Sequence, residues 1–248
     1  MSPSSPGLGA NSGAGGLAIF CDFDGTFSQR DVGSTLAQEY LPQARADLQK
    51  RYAEGGLSAW EYAVELFDGF EFGPERLETF LAGIELDVGA RGLLGWCEER
   101  GVAFRILSDG FDYNLERLQA IHGIRFAYAA NHLVFDAGRW RISPGGLNPA
   151  CGCGTGTCKR SIIEAYRRDH PGAFCVHIGD GAVSDLCGAR VADRVFAKGS
   201  LEESLGAQGV ACEHFDDLAG VRRALEDAFS GDPPPAEPGR RASGDFRS

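Results

Sequence analysis

The sequence predicts an α/β fold: a doubly wound, Rossmann-like parallel sheet carrying a small inserted α-helical cap and a β-hairpin. Three observations predict it. Short apolar runs end three times in a polar, glycine-containing turn. Helix-period stripes fill the intervals between those runs. The stretch 32–86 offers helical spacing and no good strand. Strand and helix in alternation imply parallel strands with crossover helices.

The first run, Leu17 to Cys21, is wholly apolar and stops at Asp22-Phe23-Asp24-Gly25-Thr26. Such a run suits a strand buried on both faces. Val102 to Leu107, interrupted by Arg105, stops at Ser108-Asp109-Gly110. Phe174 to Ile178 stops at Gly179-Asp180-Gly181. Ligands of open α/β sheets bind just beyond the carboxyl ends of the strands, so three such turns would converge on one site.

The helices follow from stripes of apolar residues. Leu36, Tyr40, Ala44 and Leu48 step by four. Leu57, Trp60, Val64 and Phe67 form a second stripe, opened by a Ser58-x-x-Glu61 capping box. Leu77, Phe80, Leu81 and Ile84 form a third, with Pro74 placed for a helix start. These three read as a small bundle inserted after the first strand; the alternative is that they simply pack on the sheet. Leu115, Leu118 and Ile121 predict a helix with Asp112 as its N-cap. Ile162, Ile163 and Tyr166 predict another after Lys159. Leu218, Val221, Leu225 and Phe229 predict the last. His132 to Ile142, with Asp136-Ala137-Gly138 at its centre, reads as the hairpin.

The expected division is therefore a leader over 1–16, a core over 17–31 and 87–230, a helical cap over 32–86, and a disordered tail over 231–248. The leader is rich in Gly and Ser and lacks the basic start and apolar stretch of a signal peptide. The tail contains Pro233-Pro234-Pro235 and has no apolar periodicity.

Composition narrows the function classes. Hydrophobic residues make up 43% and charged residues 24% of 248, ordinary for a globular protein. The formal net charge of −11 argues against nucleic acid as the main partner. No apolar run approaches a membrane span. Eight cysteines without a secretion signal read as free thiols, and the expected compartment is the cytoplasm. The sequence leaves monomer and homodimer open.

Asp22 and Asp24 lie two apart at a strand end, where i and i+2 share a face. Paired carboxylates repel unless a proton or cation lies between them, and a hard divalent ion is the natural neutraliser. The bland alternative is a solvated turn, for which Asp and Gly are good residues. Asp180 could complete a Mg²⁺ site with Asp22. Asp185 lies in what should be a first helical turn, where an acid also suits the helix dipole. The Ser108 hydroxyl, with the amides of Asp109 and Gly110, could bind phosphate oxygens. Lys159 is one of three lysines, with Lys50 and Lys198, and follows a glycine-rich loop at a helix start. An ammonium at a helix N-terminus makes a phosphate site; a surface lysine is the alternative.

In order and spacing, Asp22-Phe23-Asp24-Gly25-Thr26, Ser108, Lys159 and Gly179-Asp180-Gly181-x-x-x-Asp185 resemble the four motifs of the haloacid dehalogenase superfamily of phosphatases. The match spans residues 17 to about 200. The inserted helices resemble the cap of the phosphoserine phosphatase-like group. The run Cys151-Gly152-Cys153-Gly154-Thr155-Gly156-Thr157-Cys158 before Lys159 resembles the branch of 2-hydroxy-3-keto-5-methylthiopentenyl-1-phosphate phosphatases. Asp31 fits that branch as a substrate-specificity residue, where phosphoserine phosphatases tend to carry Glu.

The resemblance implies a Mg²⁺-dependent phosphatase acting on a small phosphorylated metabolite. It makes Asp22 the nucleophile and Asp24 the acid and base. Asp22, Asp180 and the carbonyl of Asp24 would hold the metal, Ser108 and Lys159 the phosphate, and Asp185 would orient Lys159 or a metal-bound water. Phosphoserine, phosphoethanolamine and phosphocholine are alternative substrates, and phosphotransfer to an alcohol an alternative outcome. A non-catalytic binding or redox module is the alternative of another class. Trp60, Phe70 and Phe72 are candidates for pocket or core. Cys151, Cys153 and Cys158 read as free thiols or as ligands of Zn²⁺, with no close His or fourth Cys evident. The five histidines suggest no cluster.

Overall fold

The computed structural model describes residues 16–229. The tail and all of the leader but Gly16 lie outside the described residues. Seven strands form one sheet in the order β4-β3-β2-β1-β5-β6-β7. They are β1 (Leu17–Cys21), β2 (Ala103–Phe111), β3 (Ala127–Asp136), β4 (Arg139–Ser143), β5 (Phe174–Gly179), β6 (Arg194–Ala197) and β7 (Glu213–His214). All neighbours are parallel except the β3–β4 hairpin. That hairpin turns on Ala137 and Gly138, both with positive φ, as a two-residue turn between twisted strands requires.

Strand β1 is central and buried along its whole length. Leu17, Ile19 and Cys21 join the core on one face, and Ala18 and Phe20 the core on the other. The period of two in a strand produces that split, and it explains why the run is continuously apolar. Helices α5 (Ala90–Arg100) and α10 (Leu218–Ala228) cover the first face. Helix α7 (Lys159–Asp169) covers the second through Ile163. Each such fully buried aliphatic side chain contributes about 1.5–3 kcal/mol.

Helices α1 (Val32–Tyr40), α2 (Pro42–Ala53), α3 (Ala59–Asp68) and α4 (Pro74–Leu81) fill the interval expected to be helical. The Ser58–Glu61 capping box opens α3, and Pro74 opens α4. The chain enters and leaves this segment side by side. Ser28 pairs with Leu86 across an isolated bridge, Gln29 N–H donates to Glu85 O (2.9 Å), and Asp87 N–H donates to Phe27 O (2.9 Å). Trp140 Nε1 of the hairpin donates to Phe72 O (2.7 Å), tying the far end of the segment to the sheet.

Several expectations need correction. The Leu36-to-Leu48 stripe is two helices, because Pro42 disfavours helix at Leu41, and Ala44 is exposed. Val64 points outward and Leu66 takes its place beside Phe67. Asp112 is not an N-cap: the cap position belongs to Phe111, before α6 (Asp112–His122). Asp112 instead accepts from Leu133 N–H (2.9 Å) and contacts His132 Nδ1 (2.8 Å), joining α6 to β3. Ile121 is exposed. Ser108-Asp109-Gly110 is not a turn; β2 continues through it with a register shift against β3. Such irregularities re-aim side chains near sites. Strands β6 and β7 and helices α5 and α9 (Gly199–Ala207) went unpredicted.

Candidate active site

The sheet order places the carboxyl ends of β2, β1 and β5 side by side. Ser108, Asp22 and Asp180 therefore meet at the floor of one cavity of about 500 Å³. Phe23–Phe27 form a wide single turn after β1 that folds the two acids of the first motif into that cavity. Gly25 is required there: its φ is +80°, and a Cβ would lie 2.6 Å from Asp180 Oδ2. Thr26 is fully buried and its hydroxyl donates to Asp180 Oδ1 (3.0 Å).

Lys159 begins α7 and has no solvent exposure. Its Nζ donates to Asp22 Oδ1 and to Asp185 Oδ1 (2.5 Å). Asp185 lies in the first turn of helix α8 (Ala182–Ala189) and is also fully buried. His177 Nε2 contacts the same Oδ1 (3.1 Å), while the amides of Gly181 (3.0 Å) and Asp180 (3.3 Å) donate to Oδ2. With its oxygens so engaged, Asp185 positions Lys159. Burial alone would raise Asp185, but Lys159 and His177 outweigh it and hold the carboxyl well below the usual range.

The other acids shift the opposite way. Burial, then Asp185, pushes Asp22 well above the ordinary carboxylate range, against the pull of Lys159. Burial and then Asp185 also raise Asp180. Burial, then the neighbouring Asp31, raises Asp24 to about 7. Asp24 accepts from Val32 N–H (2.7 Å) and from the Ser108 hydroxyl (3.2 Å).

The donor set suits a hard divalent cation. Carboxylate oxygens of Asp22, Asp180 and Asp185 lie within 4.8 Å of one another, and all are oxygen ligands of the kind Mg²⁺ takes. Of the three, Asp22 and Asp180 are the two whose ionised forms lack sufficient neutralisation. The Asp24 carboxylate is engaged elsewhere, with Val32 and Ser108.

A family model described as haloacid dehalogenase-like hydrolase matches residues 19–190. The chain belongs to that family. A 2-hydroxy-3-keto-5-methylthiopentenyl-1-phosphate phosphatase of Brevibacillus brevis is 28% identical over 191 residues, covering 75% of this chain and 85% of the relative. One from Exiguobacterium sibiricum is 28% identical over 206 residues, covering 81% and 92%. A substrate-bound phosphoserine phosphatase structure shares the fold, with a TM-score of 0.64 at 19% identity, over 84% of this chain and 98% of that one. A phospho-aspartyl intermediate analogue of phosphoserine phosphatase gives 0.64 at 20% identity, over 85% and 99%.

This haloacid dehalogenase-like hydrolase also departs from the sequence reading. The Gly110 amide, expected to meet phosphate, donates to Ser108 Oγ (2.9 Å). The Asp109 carboxylate accepts from Asn131 Nδ2 (3.2 Å) and the Thr157 amide (3.2 Å), tying β2 to the cysteine loop. Asp31 caps α1 by accepting from Ser34 N–H (2.7 Å), and it lines the cavity. Phe70 and Phe72 pack in the core, and Trp60 lies against Gly156. The upper wall is instead Tyr52, Tyr62, Leu66 and Phe67.

Two supporting residues escaped prediction. His177 is a buried polar residue inside an otherwise apolar strand, and that anomaly was its only signal. Asn131 is fully buried; it donates to Asp109 O (2.6 Å) and accepts from the Thr157 hydroxyl (2.9 Å). The cysteine loop has a fourth neighbour after all: Cys187 of α8.

Proposed function

We propose that the protein is a Mg²⁺-dependent phosphomonoester hydrolase whose substrate is the methionine-salvage enol phosphate. The observation that carries the reaction class is the pairing of Asp22 and Asp24 in one cavity. Asp22 has one oxygen fixed by buried Lys159, and burial, then Asp31, pushes Asp24 up to about 7, where it can both give and take a proton.

The Asp22 oxygen not held by Lys159 attacks phosphorus. A P–O bond to Asp22 forms as the ester P–O bond breaks. Asp24 gives its proton to the departing oxygen. Asp24 then takes a proton from water, which attacks the aspartyl-phosphate and releases phosphate and free Asp22. Lys159 and Ser108 hold the phosphoryl oxygens, and Asp185 keeps Lys159 in place. Asp22, Asp180 and the Asp24 carbonyl would hold Mg²⁺, which supplies charge neutralisation between carboxylate and phosphate. Residues 32–86 act as a cap that excludes water and contacts the leaving group.

The cavity supports the choice of substrate. Tyr52, Tyr62, Leu66 and Phe67 offer an apolar wall with aromatic faces to a thioether tail. Relatives matched over most of their length carry the enol-phosphate name. A second reading has one observation in its favour. The Tyr52 and Tyr62 rings, 6.1 Å apart near Asp31, could receive the quaternary ammonium of phosphocholine.

The test is phosphate release, with and without Mg²⁺, from the enol phosphate, phosphoserine, phosphoethanolamine, phosphocholine and glycerol phosphate. Mg²⁺-dependent release with the enol phosphate far ahead is expected. Phosphocholine in front would overturn the substrate, and no release from folded protein would overturn the reaction class.

A further inference from the structure

Cys151, Cys153 and Cys158 of the loop before α7 and Cys187 of α8 place their four sulfurs within 4.8 Å of one another. All four are free thiols. We propose that they form a tetrathiolate site for one structural Zn²⁺, separate from the carboxylate cluster. Zn²⁺ in a Cys₄ site sits about 2.3 Å from each sulfur at the centre of a tetrahedron. That geometry sets the sulfurs about 3.8 Å apart, inside the observed limit.

The local backbone is shaped for this. Gly152 and Gly154 both have positive φ, 71° and 69°, so the chain curls between Cys151 and Cys153 and again just after them, and the two sulfurs lie within 4.8 Å. Cys158 is the N-cap of α7. Cys187 reaches the cluster from the neighbouring helix, facing the Arg160 amide. Cys158 and Cys187 are buried, and Cys151 and Cys153 half-buried, leaving an entry path from solvent. The ligands are soft thiolates, so the site takes zinc and refuses Mg²⁺, which prefers oxygen.

The position gives the metal a task. Cys158 directly precedes Lys159, and Cys187 lies two residues, just over half a turn, beyond Asp185 on α8. A metal across these sulfurs pins both halves of the Lys159–Asp185 pair from outside the cavity. It also fixes the loop on which the helical segment rests, since Trp60 N–H donates to Gly154 O (2.9 Å). The same loop reaches Asp109 through Thr157. A bond network that cysteine thiols alone would leave loose is thereby held at three points.

The test is metal content of the full chain, purified with a thiol reductant and without chelator. About one zinc per chain is expected, with zinc-edge X-ray absorption showing four sulfurs near 2.3 Å. Cys153→Ser and Cys187→Ser should each lose the zinc, while Cys212→Ser should keep it. Folded wild-type protein with no zinc and four freely titrating thiols would overturn the proposal. So would a disulfide among the four, or iron in their place. None of these outcomes depends on whether the phosphatase reading holds.

Discussion

Lys159 and Asp185 form an ion pair in which both side chains are fully buried, with Nζ 2.5 Å from Oδ1. Asp22 competes for the same ammonium. Two acids around one base leave a net negative charge in the interior, and removing the second acid would leave the base with only one partner. Breaking a buried pair by deleting one member costs about 3–5 kcal/mol. Because Asp22 still partners Lys159, Asp185→Ala should lose stability in urea unfolding, but less than that. Asp185→Asn keeps the shape and should lose less stability while still lowering kcat, because Lys159 is no longer aimed. Wild-type stability in Asp185→Ala would contradict the positioning role.

Asp24 provides a sharper kinetic signature. Asp24→Asn can keep acceptance from Val32 N–H at its one amide oxygen, its Nδ2 facing Ser108 Oγ as a donor, but it has no proton to transfer. A positioned acid contributes about 10²- to 10⁴-fold. The variant should lose a factor in that range on alkyl phosphates and much less, in the first step, on p-nitrophenyl phosphate, whose leaving group needs no proton. Burst kinetics on both esters measures the difference. Equal losses would argue that Asp24 acts only by holding the turn.

Stability without Mg²⁺ should depend on pH in a definite direction. Asp22, Asp24 and Asp180 are raised in the fold, Asp24 to about 7. A raised carboxyl binds its proton more tightly folded than unfolded. Its contribution is complete below the unfolded value near 4 and fades as pH climbs through the folded one. Asp185 runs the other way, but its contribution fades only as pH falls below about 4. Between about pH 5 and 8 the raised group governs. Protein dialysed free of Mg²⁺ should therefore melt at progressively lower temperature as pH rises across that window, and added Mg²⁺ should flatten the slope. Thermal melts at several pH values, with and without the ion, read this directly; a flat profile in the free protein would contradict it.

The central strands and the acids were legible because their causes are local. A strand buried on both faces must be apolar throughout, and Leu17 to Cys21 is. Asp22, Asp24, Ser108 and Asp180 sit at the ends of such runs, and Asp185 in the first helical turn after one. What escaped depends on distant contacts. Cys187 sits on another element from the cysteine loop, so no spacing rule joins them. His177 acts through Asp185, and Asn131 through Asp109 and Thr157. The Ser108-to-Gly110 segment looks like a turn by composition, yet pairing with β3 carries it on as irregular strand. Trp60, Phe70 and Phe72 stayed open between pocket and core because the face a helix turns to the cavity depends on packing that helical spacing alone does not fix; Phe70 and Phe72 pack in the core.

The central claim is that Asp22 becomes phosphorylated. The direct measurement is to quench the enzyme during turnover, reduce it with borohydride, and map the peptides by mass spectrometry. An aspartyl-phosphate is an acyl phosphate, so reduction converts that carboxyl to the alcohol of homoserine and releases phosphate. Homoserine at position 22, seen only with substrate and Mg²⁺, is the predicted result. An unmodified Asp22 during steady turnover, or the label on another residue, would contradict the account.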